Sequence, residues 1–126
     1  MGSEALTEGI RIQVTPSFIE THSDIERGRY IFAYKVVMTN EGSERAQLTN
    51  RSWNIVDASG TAHDVDGPGV VGQHPDLAPG ESFEYSSYCP LPTPWGTMEG
   101  HYVFERPDKS TFQARVARFY FAVQTA

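Results

Sequence analysis

The sequence predicts an all-β domain, a sandwich of two antiparallel sheets made from seven or eight short strands. Three observations carry that expectation. Apolar and polar residues alternate with a period of two in one segment after another, those segments are rich in β-branched and aromatic residues, and turns containing Gly, Pro or Asn separate them. A sustained i, i+3, i+4, i+7 apolar pattern with helix start and stop signals is missing, although Thr21 to Arg29 suits a short turn of helix.

The strands follow in order. Ile10, Ile12 and Val14 alternate with Arg11, Gln13 and Thr15, and Pro16, which lacks an N–H, limits that strand to an edge or a bend. From Tyr30 to Thr39 one face carries Tyr30, Phe32, Tyr34, Val36 and Met38, while Ile31, Ala33 and Val37 make the other face apolar as well. Asn40-Glu41-Gly42-Ser43 reads as a turn leading through a hairpin into the next strand. Within Ala46 to Ala58 the apolar parity changes between Leu48 and Trp53, so a bulge is expected near Asn50-Arg51, with Trp53 as a core anchor. Ala58-Ser59-Gly60 turns the chain into Thr61 to Val65, and Pro79-Gly80 introduces a strand with Phe83 and Tyr85. Leu91 to Gly96, with two prolines, is expected as loop. Met98, Tyr102 and Phe104 mark the penultimate strand. In the last, Phe112, Ala114 and Val116 share one parity and Phe119, Phe121 and Val123 the other, which calls for an extra residue near Ala117-Arg118. An immunoglobulin or fibronectin-like sandwich fits this series, with a small closed barrel as the alternative.

Length and composition set the outer bounds. A chain of 126 residues with 39% hydrophobic and 21% charged residues suits one globular domain, placed at residues 10–126 behind a flexible segment 1–9. The net charge of −6 disfavours nucleic acid, whose nonspecific binding depends on Lys and Arg neutralising phosphates; Arg106, Lys109, Arg115 and Arg118 read as solvated strand edges and a turn. No apolar run approaches the ~20 residues of a membrane span, and residues 1–9 lack a signal-peptide pattern. A lone cysteine, Cys89, precludes an internal disulfide. A cytoplasmic location away from the membrane is the expectation.

The chemistry-bearing motifs lie between Gly67 and Gly100. Gly67-Pro68-Gly69-Val70-Val71-Gly72 has the spacing GxGxxG, which binds pyrophosphate when a helix amino terminus follows. Here Pro75 follows closely, no helical pattern comes next, and Asp64, Asp66 and Asp76 repel phosphate, so glycines serving a doubled-back strand are the stronger reading of Gly67, Gly69 and Gly72. His63, Asp66, His74 and Asp76 offer imidazole and carboxylate ligands for a divalent ion, without any established ligand spacing. Neither a GxSxG elbow nor HExxH is present, and Cys89 has no adjacent base, so no enzyme and no cofactor are expected. Pro92 and Pro94 stiffen the chain before Trp95, which serves either as an interaction anchor or as a cap on the core.

Taken as one unit, G-x-G-V-V-G, then H-P-D-L-A-P-G-E-x-F-E-Y-x-S, then L-x-T-P-x-G-x-M-x-G-x-Y resembles the ApaG family. I-x-V-x-P near the amino end, Y-x-F-x-Y-x-V and R-x-W extend the resemblance over almost the whole chain. The resemblance implies a fibronectin type III-like sandwich and a bacterial cytosolic protein with relatives fused in eukaryotic F-box and polymerase-delta-interacting proteins. It also implies an association with cobalt resistance and magnesium efflux, and no enzymatic activity. The family surface it carries over comprises Gly67, Gly69, Gly72, Pro75, Pro79, Gly80, Thr93, Pro94, Gly96 and Gly100. Tyr88 stands where many relatives have Gly, and Gln73-His74 where they have an acidic or Gln pair.

Two functions follow as expectations. One is a noncatalytic module that binds a protein partner through a sheet edge or through Pro75, Thr93, Pro94, Trp95 and Gly96. The other is weak binding of a divalent cation, nucleotide or other small ligand by the Gly67 to Asp76 loop. A homodimer through edge strands is compatible with either.

Overall fold

The computed structural model describes residues 2–123. Among the described residues nine strands form: β1 (Ser3–Thr7), β2 (Ile10–Phe18), β3 (Tyr30–Asn40), β4 (Ala46–Asp57), β5 (Ala62–Pro68), β6 (Asp76–Leu77), β7 (Ser82–Leu91), β8 (Trp95–Glu105) and β9 (Thr111–Ala122). One sheet has the order β1-β2-β3-β7 and the other β5-β4-β8-β9, with the two-residue β6 also pairing on β4. All pairs are antiparallel, and the two sheets pack as the expected sandwich. The stretch expected to hold a helical turn contains two single 3-10 turns, Glu20–His22 and Ile25–Arg27.

The alternation in sequence becomes the core. Ile10, Ile12 and Val14 of β2 and Phe32, Tyr34, Val36 and Met38 of β3 face Leu48 and Trp53 of β4, Met98, Tyr102 and Phe104 of β8, and Phe119 and Phe121 of β9. Each such side chain contributes roughly 1.5–3 kcal/mol when fully buried. Trp53 is the anchor its sequence suggested, 3% exposed, with Tyr34 and Tyr102 edge-on at 5.7 and 5.6 Å between ring centres. The hydroxyls of Tyr85 and Tyr102 satisfy each other at 2.6 Å inside the core. Burial pushes the ionisation of both phenols up, so the pair stays neutral.

Both parity changes are bulges. In β4 the register against β8 slips between Leu48 and Asn50, one residue before the expected place. In β9, Ala117-Arg118 stands opposite Glu99 alone, which lets Val116 and Phe119 both point inward.

Four expectations change. Within the segment 1–9 expected to be flexible, Ser3–Thr7 is a strand paired with Ile10–Val14 across a two-residue turn whose central residues, Glu8 and Gly9, have φ of 46° and 88°. A type I′ hairpin with Glu at its first central position carries no turn signal in the sequence. Asn40 to Gly42 is not a hairpin but the crossing from one sheet to the other. Asn40 is buried there, donating from Nδ2 to the carbonyls of Glu44 and Leu77 at 2.7 and 2.9 Å and accepting from the Gly42 N–H at 2.9 Å. Pro16 lies in a strand flanked on both sides, but beyond the last β1 pair, Ser3 with Val14, where its missing N–H costs no bond to β1. Finally, Leu91 closes β7 while Trp95 and Gly96 open β8, so the loop shrinks to Pro92–Pro94.

The two long sides of the sandwich differ. Where β1 meets β9, Ser3 Oγ donates to the Ala117 carbonyl at 2.6 Å and the Arg115 N–H donates to Thr7 Oγ1 at 3.2 Å. On the other side, β5 and β7 are the terminal strands of their sheets.

Candidate functional site

Gly67 to Gly72 folds as a self-contained turn. Gly67, opposite Arg51, is small because a side-chain carbon there would sit 3.1 Å from both terminal nitrogens of the Arg51 guanidinium. That guanidinium donates from Nη1 to the carbonyls of Pro68 and Gly69, each at 2.9 Å. Gly69 has φ of 62°, and a carbon on it would lie 2.4 Å from the Gln73 carbonyl oxygen. Val70 and Gln73 exchange backbone hydrogen bonds at 2.9 and 2.8 Å around Val71 and Gly72, whose φ values of 44° and 78° make a type I′ turn.

A phosphate cradle needs several amides turned outward at the start of a helix. Here the Gly69 N–H donates to the Thr49 carbonyl at 2.9 Å, those of Val70 and Gln73 are engaged across the turn, and no helix follows. Sequence reading passed over Val71, a β-branched residue in the left-handed region and 54% exposed at the tip.

The proposed metal ligands are dispersed. His63 lines the inter-sheet side of β5, while Asp66, one register position out of phase, belongs to its other side. His74 Nδ1 lies 3.2 Å from the Leu48 carbonyl, and Asp76 pairs with Arg45 at 3.2 Å. Among the described residues no three His, Cys, Asp or Glu side chains are grouped to hold a metal ion.

The residues assigned to an interaction surface divide by burial. Pro75 is buried, its carbonyl accepting from the Leu48 N–H at 2.9 Å, and Gly96 is buried because a side-chain carbon would meet Leu91 Cδ1 at 2.7 Å and the Val56 carbonyl at 2.8 Å. Both shape the backbone and neither presents a contact. Gly100 is tighter still, with the Ser52 carbonyl oxygen 1.9 Å from where a side-chain carbon would be. Thr93 is a tether: its Oγ1 donates to the Trp95 carbonyl at 2.7 Å and accepts from the Ala58 N–H at 3.0 Å. The adjoining turn is held by the Asp57 carboxylate, which accepts from Ser59 N–H, Ser59 Oγ and Thr61 N–H. Those bonds, the Ser59 hydroxyl foremost, lower the Asp57 pKa below the ordinary carboxylate value.

Pro94 and Trp95 remain outside. Trp95 is 48% exposed and does not cap the core. Gly96 and Met98 turn inward, so Trp95 and Thr97 lie on the outer face of the five-stranded sheet. The neighbouring strand places Tyr120, 44% exposed, opposite Thr97 and one diagonal step from Trp95. The two rings border a shallow depression of about 380 Å³ with Val56, Ala58 and Arg118, whose guanidinium donates to Glu99 at 2.8 Å. Sequence reading missed Tyr120. The alternation of Phe119, Tyr120 and Phe121 was its signal, since only the middle aromatic points away from the core.

Comparison with known proteins places this architecture. The profile of the ApaG domain matches residues 20–106. The chain is 50% identical over 116 residues to Protein ApaG of Methylobacterium sp. (strain 4-46), covering 92% of this chain and 89% of that protein. It is 49% identical over 117 residues to Protein ApaG of Anaeromyxobacter dehalogenans (strain 2CP-C), covering 93% and 92%. The crystal structure of the putative ApaA protein from Bordetella pertussis superposes with a TM-score of 0.90 at 44% identity, over 93% of this chain and 95% of that one. A Bacteroides uniformis beta-glucuronidase shares the fold alone, at 16% identity and a TM-score of 0.55 over 13% of its length. The chain belongs to the ApaG domain family.

Proposed function

We propose that the chain is a noncatalytic protein-interaction module that docks a partner on the outer face of β8 and β9, with Trp95 and Tyr120 as its anchors. The observation that carries this reading is two large aromatic side chains, about half exposed and diagonal to each other, on paired strands in a rigid sheet. Aromatic anchors held by a scaffold lose little conformational entropy on binding and dominate interface energies. Thr93 and the Asp57 turn fix the backbone entering Trp95, and the Arg118–Glu99 pair supplies a polar rim. The partner it suits presents an apolar side chain to the depression between the rings.

Two further observations support a noncatalytic role. The thiol of Cys89 is buried, and burial pushes its pKa up to about 11, the reverse of nucleophile activation. His63 and Asp66 lie on opposite sides of β5, His74 lies against the Leu48 carbonyl and Asp76 pairs with Arg45, so these four side chains do not converge on a catalytic ion.

Affinity capture with the wild type and with Trp95→Ala/Tyr120→Ala, compared side by side, tests the reading. The partner recovered by the wild type is expected to disappear from the variant while the melting temperature stays the same. Equal recovery by both proteins moves the interface elsewhere.

A further inference from the structure

Between the terminal strands β5 and β7 the two sheets part around a second cavity, about 360 Å³. Its walls are mainly apolar, from Trp53, Ile55, Val65, Cys89, Leu91 and Met98. We propose that this cavity is a binding site for a small amphipathic carboxylate, one ring or branched chain bearing a single anionic group.

Three features separate it from a packing fault. Its volume falls within the ~300–1,000 Å³ of small-molecule sites, whereas well-packed cores leave few voids larger than a water molecule. Trp53 lines it, 3% exposed and with its ring held edge-on by Tyr34 and Tyr102, so an apolar body entering the cavity meets a fixed aromatic wall. Arg51 also lines it, fixed in place by its two bonds to Pro68 and Gly69, and among the described residues no carboxylate lies within ion-pair distance of it. A positioned guanidinium beside an apolar chamber selects an anion with an apolar body. The acidic side chains of β5 do not oppose this, since Asp64 and Asp66 lie on the other side of that strand and Asp64 accepts from Asn54 Nδ2 at 2.9 Å.

Gly67 acquires a purpose in this arrangement. It leaves space for Arg51, so a residue of the GxGxxG spacing serves an anion site through the arginine it accommodates and not through its own amide.

The test uses the full chain labelled with ¹⁵N and three probes of one skeleton: 3-phenylpropionate, 3-phenylpropan-1-ol and 3-phenylpropylamine. The expected result is a saturable shift of the Trp53 indole N–H resonance with the Trp95 resonance still. The carboxylate is expected to bind about tenfold more tightly than the alcohol, with no binding of the amine. Val65→Trp, which fills the chamber, should abolish the shift in a protein that still melts cooperatively. No saturable movement of Trp53 up to the probe's solubility overturns the proposal. So does equal affinity for amine and carboxylate, or full affinity in folded Val65→Trp. The three-probe comparison needs no variant and decides the matter if Val65→Trp does not fold.

Discussion

The Gly67–Gly72 turn and the Pro92–Trp95 ridge use the same residue types and end up with opposite character. In the turn, the amides of Gly69, Val70 and Gln73 are bonded to carbonyls, and the guanidinium of Arg51 ties two more carbonyls. In the ridge, buried Gly96 and tethering Thr93 hold a backbone whose product is an exposed ring, Trp95. Glycine and proline therefore mark where a backbone is constrained. What the constraint leaves facing water decides which region is a surface for recognition.

That contrast is sharpened by substituting glycines that answer different needs. Gly100→Ala is expected to cost most, about 3 kcal/mol or more, because the Ser52 carbonyl backbone occupies the place of the new carbon. Urea unfolding checks it, and a Gly100→Ala protein as stable as the wild type would show that β4 and β8 can separate at little cost.

Gly69→Ala comes next, about 2–3 kcal/mol, since strain at positive φ adds to a collision with the Gln73 carbonyl. Gly72→Ala has positive φ but open space around it and should cost about 1 kcal/mol. If the two lose equal stability, packing against Gln73 is not what Gly69 provides. The smallest effect has the opposite sign. Val71→Asn puts a residue that tolerates the left-handed region at the first central position of the type I′ turn and should stabilise by about 0.5–1 kcal/mol, read as a raised melting temperature. A loss there would mean that exposed Val71 makes contacts that matter to the fold.

The sandwich was legible in the sequence because each strand's alternation registers which face is buried. Trp53 and the Ala117-Arg118 bulge were legible for the same reason. The first strand was not: Ser3–Thr7 buries little, and its turn places Glu8 at positive φ, which composition does not announce. Nor was the sheet crossing after β3, since Asn40-Glu41-Gly42 has hairpin chemistry and only the burial of Asn40 against Leu77 sets it apart.

At the candidate site, sequence found Trp95 but grouped it with Pro75 and Gly96, which are buried, because Leu91 to Gly96 read as loop and only the start of β8 at Trp95 puts Trp95 and Gly96 on opposite faces. Tyr120 was hidden by distance, 25 residues from Trp95 in the chain and one diagonal step away across the β8–β9 pair. The inter-sheet cavity combines Arg51 and Trp53 with Cys89 and Leu91 from the other sheet, a juxtaposition that no local motif encodes.

The most direct measurement of the proposed function is amide hydrogen exchange on the complex with the captured partner. Slowed exchange confined to β8, β9 and the Pro92–Pro94 loop is the result predicted for an interface centred on Trp95 and Tyr120. Protection of β5, β7 or the Gly67–Gly72 turn with β8 and β9 unchanged would contradict it.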